Sequence, residues 1–96
     1  MGRGSSKIGK NKAQSETINR IKQVFKKQGN VTDLKFANNP EAKGEMIFTF
    51  IRNRKVSEGK TTSRRQWGYI GKNGKTQIAG TFMGTPPQLF KDVFNL

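Results

Sequence analysis

The feature that most constrains the fold is the alternation of side chains in residues 45–54, EMIFTFIRNR. Successive side chains of an extended chain point to opposite sides, so the apolar residues of this segment separate into two sets. One set is Met46, Phe48 and Phe50, and the other is Ile47, Thr49 and Ile51. A period of two over aromatic and β-branched residues predicts a β-strand.

The segment RQWGYIGKNGKTQIAGTF, residues 65–82, predicts a hairpin. Asn73 and Gly74 are a preferred pair for a two-residue turn, because both central positions of that turn require positive φ. Such a turn sets Tyr69 opposite Ile78, Trp67 opposite Gly80, and Arg65 opposite Phe82. One side of the sheet then carries Trp67, Tyr69, Ile78 and Phe82, and the other carries Gly68, Ile70, Gln77, Ala79 and Thr81.

Two segments have the spacing of apolar residues that is typical of amphipathic helices. The first begins at Ser15 as N-cap, ends at Gly29, and has an apolar stripe of Ile18, Ile21, Val24 and Phe25. The second begins at Thr85 as N-cap, with Pro86 in the first turn and Gln88 completing a capping box. Residues 31–39, VTDLKFANN, predict a further short strand.

These elements predict one α+β domain at residues 14–96, with the order α-β-β-β-β-α. We expect a single four-stranded antiparallel sheet with both helices packed on its aromatic side. The second side would be open, and its aliphatic residues Ile47, Ile51 and Ile70 would leave room for a homodimer or a protein partner. Residues 1–13 have the composition of a disordered basic tail.

The charge of the chain indicates a polyanionic partner. Nineteen Lys and Arg face six Asp and Glu, which gives a net charge of +13 and a pI near 10.7. Eight bases and one acid lie in residues 1–30, and the same numbers lie in residues 51–75. A charge this high costs self-repulsion in the folded state, and two separate basic blocks favour two contact zones over uniform solubilisation.

The segment RNRKVSEGKTTSRR, residues 52–65, is the main candidate for contact with nucleic acid. It lies between two predicted strands, so it would form the far end of a hairpin. Alternation predicts Arg52 and Arg54 on the same side as Arg65, with Arg64 on the other side. A flexible solvated loop is the alternative interpretation. The residues predicted to bind are Arg52, Arg54, Lys55, Lys60, Arg64 and Arg65 in this segment, Lys72 and Lys75 beside the tight turn, and Arg3, Lys7, Lys10 and Lys12 in the tail.

The sequence favours a binding protein over an enzyme. The chain has no His and no Cys, so it lacks the commonest general base and any thiolate ligand, and no disulfide can form. The six acids form no pair spaced for metal-dependent or glycosidic chemistry; Asp33 and Glu45 are better explained by surface pairing with Lys. We therefore predict no catalytic residue, metal or cofactor, and a cytoplasmic location, nucleoid-associated or inside a host cell, without a membrane span or signal peptide.

The hypothesis from the sequence is a small non-enzymatic protein that binds the phosphate backbone, with duplex DNA favoured slightly over structured RNA. Single-strand binding is disfavoured, because Trp67 and Tyr69 are expected in the core and not on a stacking surface. The small size, the tail and the absence of catalytic groups would suit a phage, plasmid or viral protein, and they would also suit a ribosome-associated or nucleoid protein. The alternative is a protein-interaction module that binds an acidic protein surface or inhibits a nucleic-acid-processing enzyme.

Overall fold

Two helices and four strands make up the computed structural model, which describes residues 11–79 and 85–96. They are α1 (Lys12–Gln28), β1 (Val31–Asn38), β2 (Met46–Ser57), β3 (Lys60–Ile70), β4 (Thr76–Ala79) and α2 (Gln88–Phe94). The strands form one antiparallel sheet in the order β1-β2-β3-β4. The predicted α+β class, element order and four-stranded antiparallel sheet are confirmed.

The N-cap of α1 is Asn11, and not Ser15 as predicted. Its side chain accepts a hydrogen bond from the Gln14 backbone N–H at 2.9 Å, and the Gln14 side chain accepts one from the Asn11 backbone N–H at 3.2 Å. This capping box pairs two amides that a helix end otherwise leaves without partners. Lys12 and Ala13, assigned to the tail by the prediction, therefore belong to the helix, and residues 1–10 of the predicted tail lie outside the described residues.

The two helices pack on opposite sides of the sheet, whereas the sequence predicted both on one side. On the α1 side, Ile18 and Phe25 contact the cluster Met46, Phe48, Phe50 and Ile70. On the α2 side, Phe90 and Phe94 contact the cluster Ile47 and Trp67, with Tyr69 packed against it. The sheet is thus the middle layer of three, and its apolar residues are divided between two cores.

The pairing of β2 with β3 explains this difference. Tyr69 lies opposite Ile47 and Trp67 lies opposite Thr49. Residues directly opposite each other share a side of the sheet, so both aromatic residues lie on the side away from Phe48. Ile47 and Ile70 are fully buried on different sides, and Ile51 is half-buried, so the open aliphatic surface predicted for a partner is not present at these residues.

The turn between β3 and β4 has three residues, and not the predicted two. Gly71 N–H donates to the Lys75 carbonyl at 2.9 Å, and Gly74 N–H donates to the Gly71 carbonyl at 2.9 Å. Gly74 takes φ of +85°, as the last residue of a three-residue hairpin loop commonly does. The register consequently moves by one residue: Tyr69 faces Gln77, Trp67 faces Ala79, and Ile78 lies on the α1 side with half of its surface exposed.

The start of α2 also differs from the prediction. The helix begins at Gln88 with Pro87 at the cap position, and no side chain caps it. Pro87 has extended backbone, with ψ of 157°, so the chain turns helical only after both prolines and not after Thr85. Among the described residues, no helix is long and apolar enough to cross a membrane.

Candidate nucleic-acid interface

The hairpin of β2 and β3 extends beyond the rest of the described sheet. β1 pairs with β2 only as far as Arg52, and the described part of β4 pairs with β3 only from Trp67 onward. Residues 53–63, here called the arm, therefore form a two-stranded ribbon that no other described strand flanks. At the rise of a β-strand the arm is about 15 Å long. Its projection is consistent with the elongated dimensions of the molecule, 52 × 29 × 20 Å.

A β-bulge in the arm decides which side each arginine occupies. Ser57 pairs with Lys60 across the turn, but Lys55 pairs with Thr61, so Val56 is an extra residue in β2. Without this bulge, the register at the turn would continue and set Arg52 opposite Arg65, as the sequence predicted. With the bulge, Arg52 lies opposite Arg64.

The predicted grouping of the arginines is therefore corrected. Arg52, Arg54 and Arg64 lie on the α1 side, and Arg65 lies on the α2 side, where it pairs with Ile51.

Arg52 connects α1 to the sheet. Its Nε donates to Gln66 Oε1 at 3.0 Å, and its Nη1 donates to Gln28 Oε1 at 3.1 Å. Its guanidinium also lies over two rings of the α1-side core, 5.7 Å from the centroid of Phe25 and 5.4 Å from that of Phe50. Such stacking is favourable for a cation whose planar group can face a ring. Arg52 thus stabilises the base of the arm, and its charge remains at that position.

Arg65 is held by an ion pair on the α2 side. Its Nη2 donates to Asp33 Oδ2 at 2.5 Å, and its Nη1 donates to the buried Thr49 hydroxyl at 3.2 Å. Asp33 lies in a bulge of β1 with φ of +55°, and it also pairs with Lys35 at 3.7 Å. The hydrogen bond from Arg65 lowers the pKa of the Asp33 carboxyl below its ordinary value. The Arg65 side chain is only 18% exposed, so its main role is in the fold.

The remaining predicted residues of the segment are exposed. Arg54 and Lys55 lie on the outgoing strand, and Lys60 and Arg64 lie on the returning strand. Glu58 at the turn is the one acid of residues 52–65. Gly59 takes φ of +78° in that turn, which allows the chain to reverse in two residues. The arm therefore presents cations of both strands with little opposing charge.

Lys72 and Lys75 lie at the opposite end of the sheet from the arm. Lys72 is the first residue of the β3–β4 turn and Lys75 follows its last. The 11 residues of β3 separate that turn from the arm tip by about 35 Å. The N-terminus of α1 lies at the same end, because Asn11 Nδ2 donates to the Lys72 carbonyl at 2.8 Å and Thr17 Oγ1 donates to the Gly74 carbonyl at 2.7 Å. Lys12 is therefore near this turn and not near the arm.

The twelve residues predicted to bind thus do not form one contact. Arg54, Lys55, Lys60 and Arg64 are exposed on the hairpin, Arg52 and Arg65 are engaged within the fold, and Lys12, Lys72 and Lys75 lie at the far end. Arg3, Lys7 and Lys10 lie outside the described residues.

Two basic residues that the sequence did not assign to the site lie beside the arm. Lys26 and Lys27 form the last turn of α1, and the next residue, Gln28, accepts the hydrogen bond from Arg52. Their position in the sequence is explained equally well by the helix dipole, which favours cations at a C-terminus. Only the packing of α1 against β2 places this helix end at the base of the arm.

The aromatic residues offer no broad stacking surface within the described part of the chain. Trp67 is buried and packs against Phe90, with ring centroids 6.3 Å apart. Tyr69 is half-buried and meets the edge of the same ring at 5.4 Å. The prediction that both belong to the core is confirmed for Trp67, whereas Tyr69 packs half-buried against the core. Phe36, half-buried in the edge strand, has the Lys22 ammonium 6.0 Å from its ring centroid.

In residues 11–79 and 85–96, no three side chains of the His, Cys, Asp or Glu type lie together as metal ligands. No protein-family model, curated protein or solved structure matches the chain. The charge and shape of the molecule are therefore the properties that bear on its function.

Proposed function

We propose that the protein is a non-enzymatic nucleic-acid-binding protein that contacts the phosphate backbone of a duplex through the arm. The observation that supports this most directly is the projecting ribbon itself, which carries exposed Arg54, Lys55 and Lys60, with exposed Arg64 next to its base. Cations on an element that no other described strand flanks can approach phosphates without rearranging the fold. Lys26 and Lys27 extend the basic surface at the base of the arm.

Duplex DNA suits this shape better than duplex RNA. The major groove of B-form DNA is about 12 Å wide and admits a two-stranded β-ribbon. The major groove of A-form RNA is deep and too narrow for side chains to read. Single strands are usually held by exposed aromatic residues, and Trp67 is unavailable for stacking because it is buried under α2.

Fluorescence anisotropy with labelled duplex DNA, duplex RNA and single-stranded DNA tests the proposal. We expect the duplex DNA to bind most tightly, and its affinity to fall steeply between about 50 and about 200 mM salt, because each neutralised phosphate releases counterions. The variant Arg54→Ala/Lys60→Ala removes two arm cations. It should weaken binding by about tenfold and reduce the salt slope by about 2.

The matched control is Lys35→Ala/Lys91→Ala, which removes the same charge from the α2 side of the sheet. The affinity of this control for duplex DNA should stay within about twofold of that of the unmodified protein, because charges far from the contact are screened at about 50 to about 200 mM salt. Equal weakening by both variants would show that net charge, and not the arm, determines binding. Absence of binding to all three probes at about 50 mM salt would refute the proposal.

A second candidate function is contact with an acidic protein surface, including inhibition of a nucleic-acid-processing enzyme by occupying its channel. The observation that favours it is Val56, an apolar side chain 60% exposed among the cations of the arm. Protein interfaces combine apolar centres with a charged rim more often than phosphate contacts do. This candidate function replaces the first one if the anisotropy assay detects no binding to any of the three nucleic-acid probes.

A further inference from the structure

We propose that the duplex lies along the α1 side of the molecule, so that the outward surface of α1 is a second contact and the binding site spans about 15 base pairs. This inference rests on the proposed function, since it concerns how the same partner is placed. It adds a surface, an orientation and a site size that the arm alone does not imply.

The exposed charges of α1 are nearly uniform in sign. They comprise five cations and one acid, namely Lys12, Arg20, Lys22, Lys26, Lys27 and Glu16. Of these, Lys22 lies beside the edge strand β1, with its ammonium 6.0 Å from the Phe36 ring centroid. The apolar stripe of α1, which includes Ile18 and Phe25, is buried in the α1-side core. A helix needs a polar outer stripe for solubility, but a nearly uniform sign costs repulsion between neighbouring turns. That cost is offset when an anion lies along the helix.

The basic surface of α1 is continuous with the arm. Arg52, Arg54 and Arg64 lie on the α1 side of the hairpin, and Arg52 is bonded to Gln28 at the end of α1. The cations of the helix therefore face the same direction as Arg54 and Arg64, whereas Lys55 lies on the other side of the arm. Lys12 and Lys72, at the other end of α1, continue the surface to the β3–β4 turn.

The α2 side of the sheet has a different balance of charges from the α1 side. On the α2 side, Arg65 is paired with Asp33, and Lys91 of α2 is followed by Asp92. Glu45 and Lys75 both line the shallow pocket beneath Tyr69. Charges of both signs are interspersed there, so a polyanion gains little on that side. The sheet thus separates a basic surface from a balanced one.

The size of the site follows from the dimensions of these elements. The 17 residues of α1 span about 25 Å, and the arm adds about 15 Å beyond the end of the helix. The long dimension of the molecule is 52 Å. Phosphates of one strand are spaced about 3.4 Å along a B-form duplex, so a duplex that lies along the whole 52 Å spans about 15 base pairs, of which α1 and the arm cover about 12. An arm that acts alone in one major groove would need a duplex of only about 8 base pairs for full contact, which is less than one helical turn.

The test measures affinity for duplex DNA of about 8, 12, 16 and 24 base pairs, together with the variant Arg20→Ala/Lys27→Ala. Both changed residues are exposed on a helix, where Ala is a favourable residue, so the fold should be retained. We expect affinity to rise until about 16 base pairs and the variant to lose about tenfold on the longer duplexes. On the 8-base-pair duplex the variant should lose less than threefold, because that duplex cannot span the arm and the helix together.

The outcomes separate this inference from the proposed function. If 8 base pairs already give full affinity per site, and Arg20→Ala/Lys27→Ala binds like the unmodified protein while Arg54→Ala/Lys60→Ala does not, the arm acts alone and the inference is wrong. If no duplex of any length binds at about 50 mM salt, the proposed function itself fails. Duplex RNA of the same four lengths shows whether the surface distinguishes the two duplex types.

Discussion

At the scale of single residues, the four arginines of residues 52–65 have different roles despite their proximity in sequence. Arg52 stacks on two phenylalanine rings, and Arg65 is bonded to a carboxylate and a buried hydroxyl. Arg54 and Arg64 are exposed on the α1 side. Counting arginines in the segment therefore overstates the number that can bind a ligand without cost to the fold.

We predict that Arg65→Ala and Arg54→Ala affect different properties. Arg65→Ala removes the ion pair with Asp33 and a hydrogen bond to Thr49, so it should lower the free energy of unfolding by about 1 kcal/mol. Arg54→Ala should change stability by less than about 0.5 kcal/mol and should weaken duplex binding instead. Urea denaturation followed by circular dichroism, together with anisotropy, measures both. Equal losses of stability in the two variants would contradict this division of roles.

At the scale of elements, the β2–β3 hairpin contributes residues to both cores and also forms the arm. Substitutions of buried residues at its centre should therefore be strongly destabilising. Gly68 in β3 lies beneath the Phe48 ring. A Cβ at position 68 would meet Phe48 Cζ at 2.6 Å and the Gln77 carbonyl oxygen at 2.7 Å. One of these atoms belongs to the backbone of β4, so the contact cannot be relieved by a rotamer change alone.

We predict that Gly68→Ala destabilises the protein by about 2–4 kcal/mol, because it forces β4 or the Phe48 ring out of position. Gly59→Ala, in the turn of the same hairpin, is the matched control. Nothing lies within 4 Å of the added methyl group there, and only the positive φ of +78° is unfavourable, at a cost of about 1 kcal/mol. Thermal denaturation of both variants checks the difference. A smaller loss for Gly68→Ala than for Gly59→Ala would show that β4 does not pack as described.

The helices illustrate how much of an element the sequence can specify. The apolar stripe of α1 predicts its existence and its end at Gly29, which takes the expected left-handed conformation. The sequence offers two starts, because Ser15 precedes the apolar stripe and Asn11 has the capping-box spacing to Gln14. The tertiary structure favours Asn11, since the buried Gln14 amide donates to the carbonyls of Gly44 and Gly71 in distant loops.

At the scale of the whole molecule, the high positive net charge is the property that most affects stability. A net charge of +13 on 96 residues opposes compaction, and the polyanion proposed to bind on the α1 side would relieve that repulsion. With no histidine in the chain, no side chain has an ordinary pKa between about 5 and 8. Stability should therefore be almost constant across that range.

We predict that stability falls only below about pH 4, and that part of this fall belongs to Asp33. The pKa of Asp33 is lowered in the folded protein, chiefly by the hydrogen bond from Arg65. Its contribution is therefore complete above its ordinary value of 3.8 and is lost as the pH falls through the lowered folded value. The carboxyl is 37% exposed, so the contribution is below about 1 kcal/mol. The difference in the free energy of unfolding between the unmodified protein and Asp33→Asn should be largest near pH 6 and should shrink as the pH falls below 3.8. A constant difference at both pH values would contradict this origin.

The sequence by itself determined the strands, the helices, their order and the concentration of charge, because each depends on a local period or on composition. Only the tertiary structure decided which residues of neighbouring strands share a side. The extra residue Val56 and the three-residue turn ending at Gly74 each move a register by one position. A shift of one residue exchanges the two sides of a strand, so it moved Trp67 and Arg65 to the α2 side and moved Arg64 to the α1 side, beside Arg52 and Arg54.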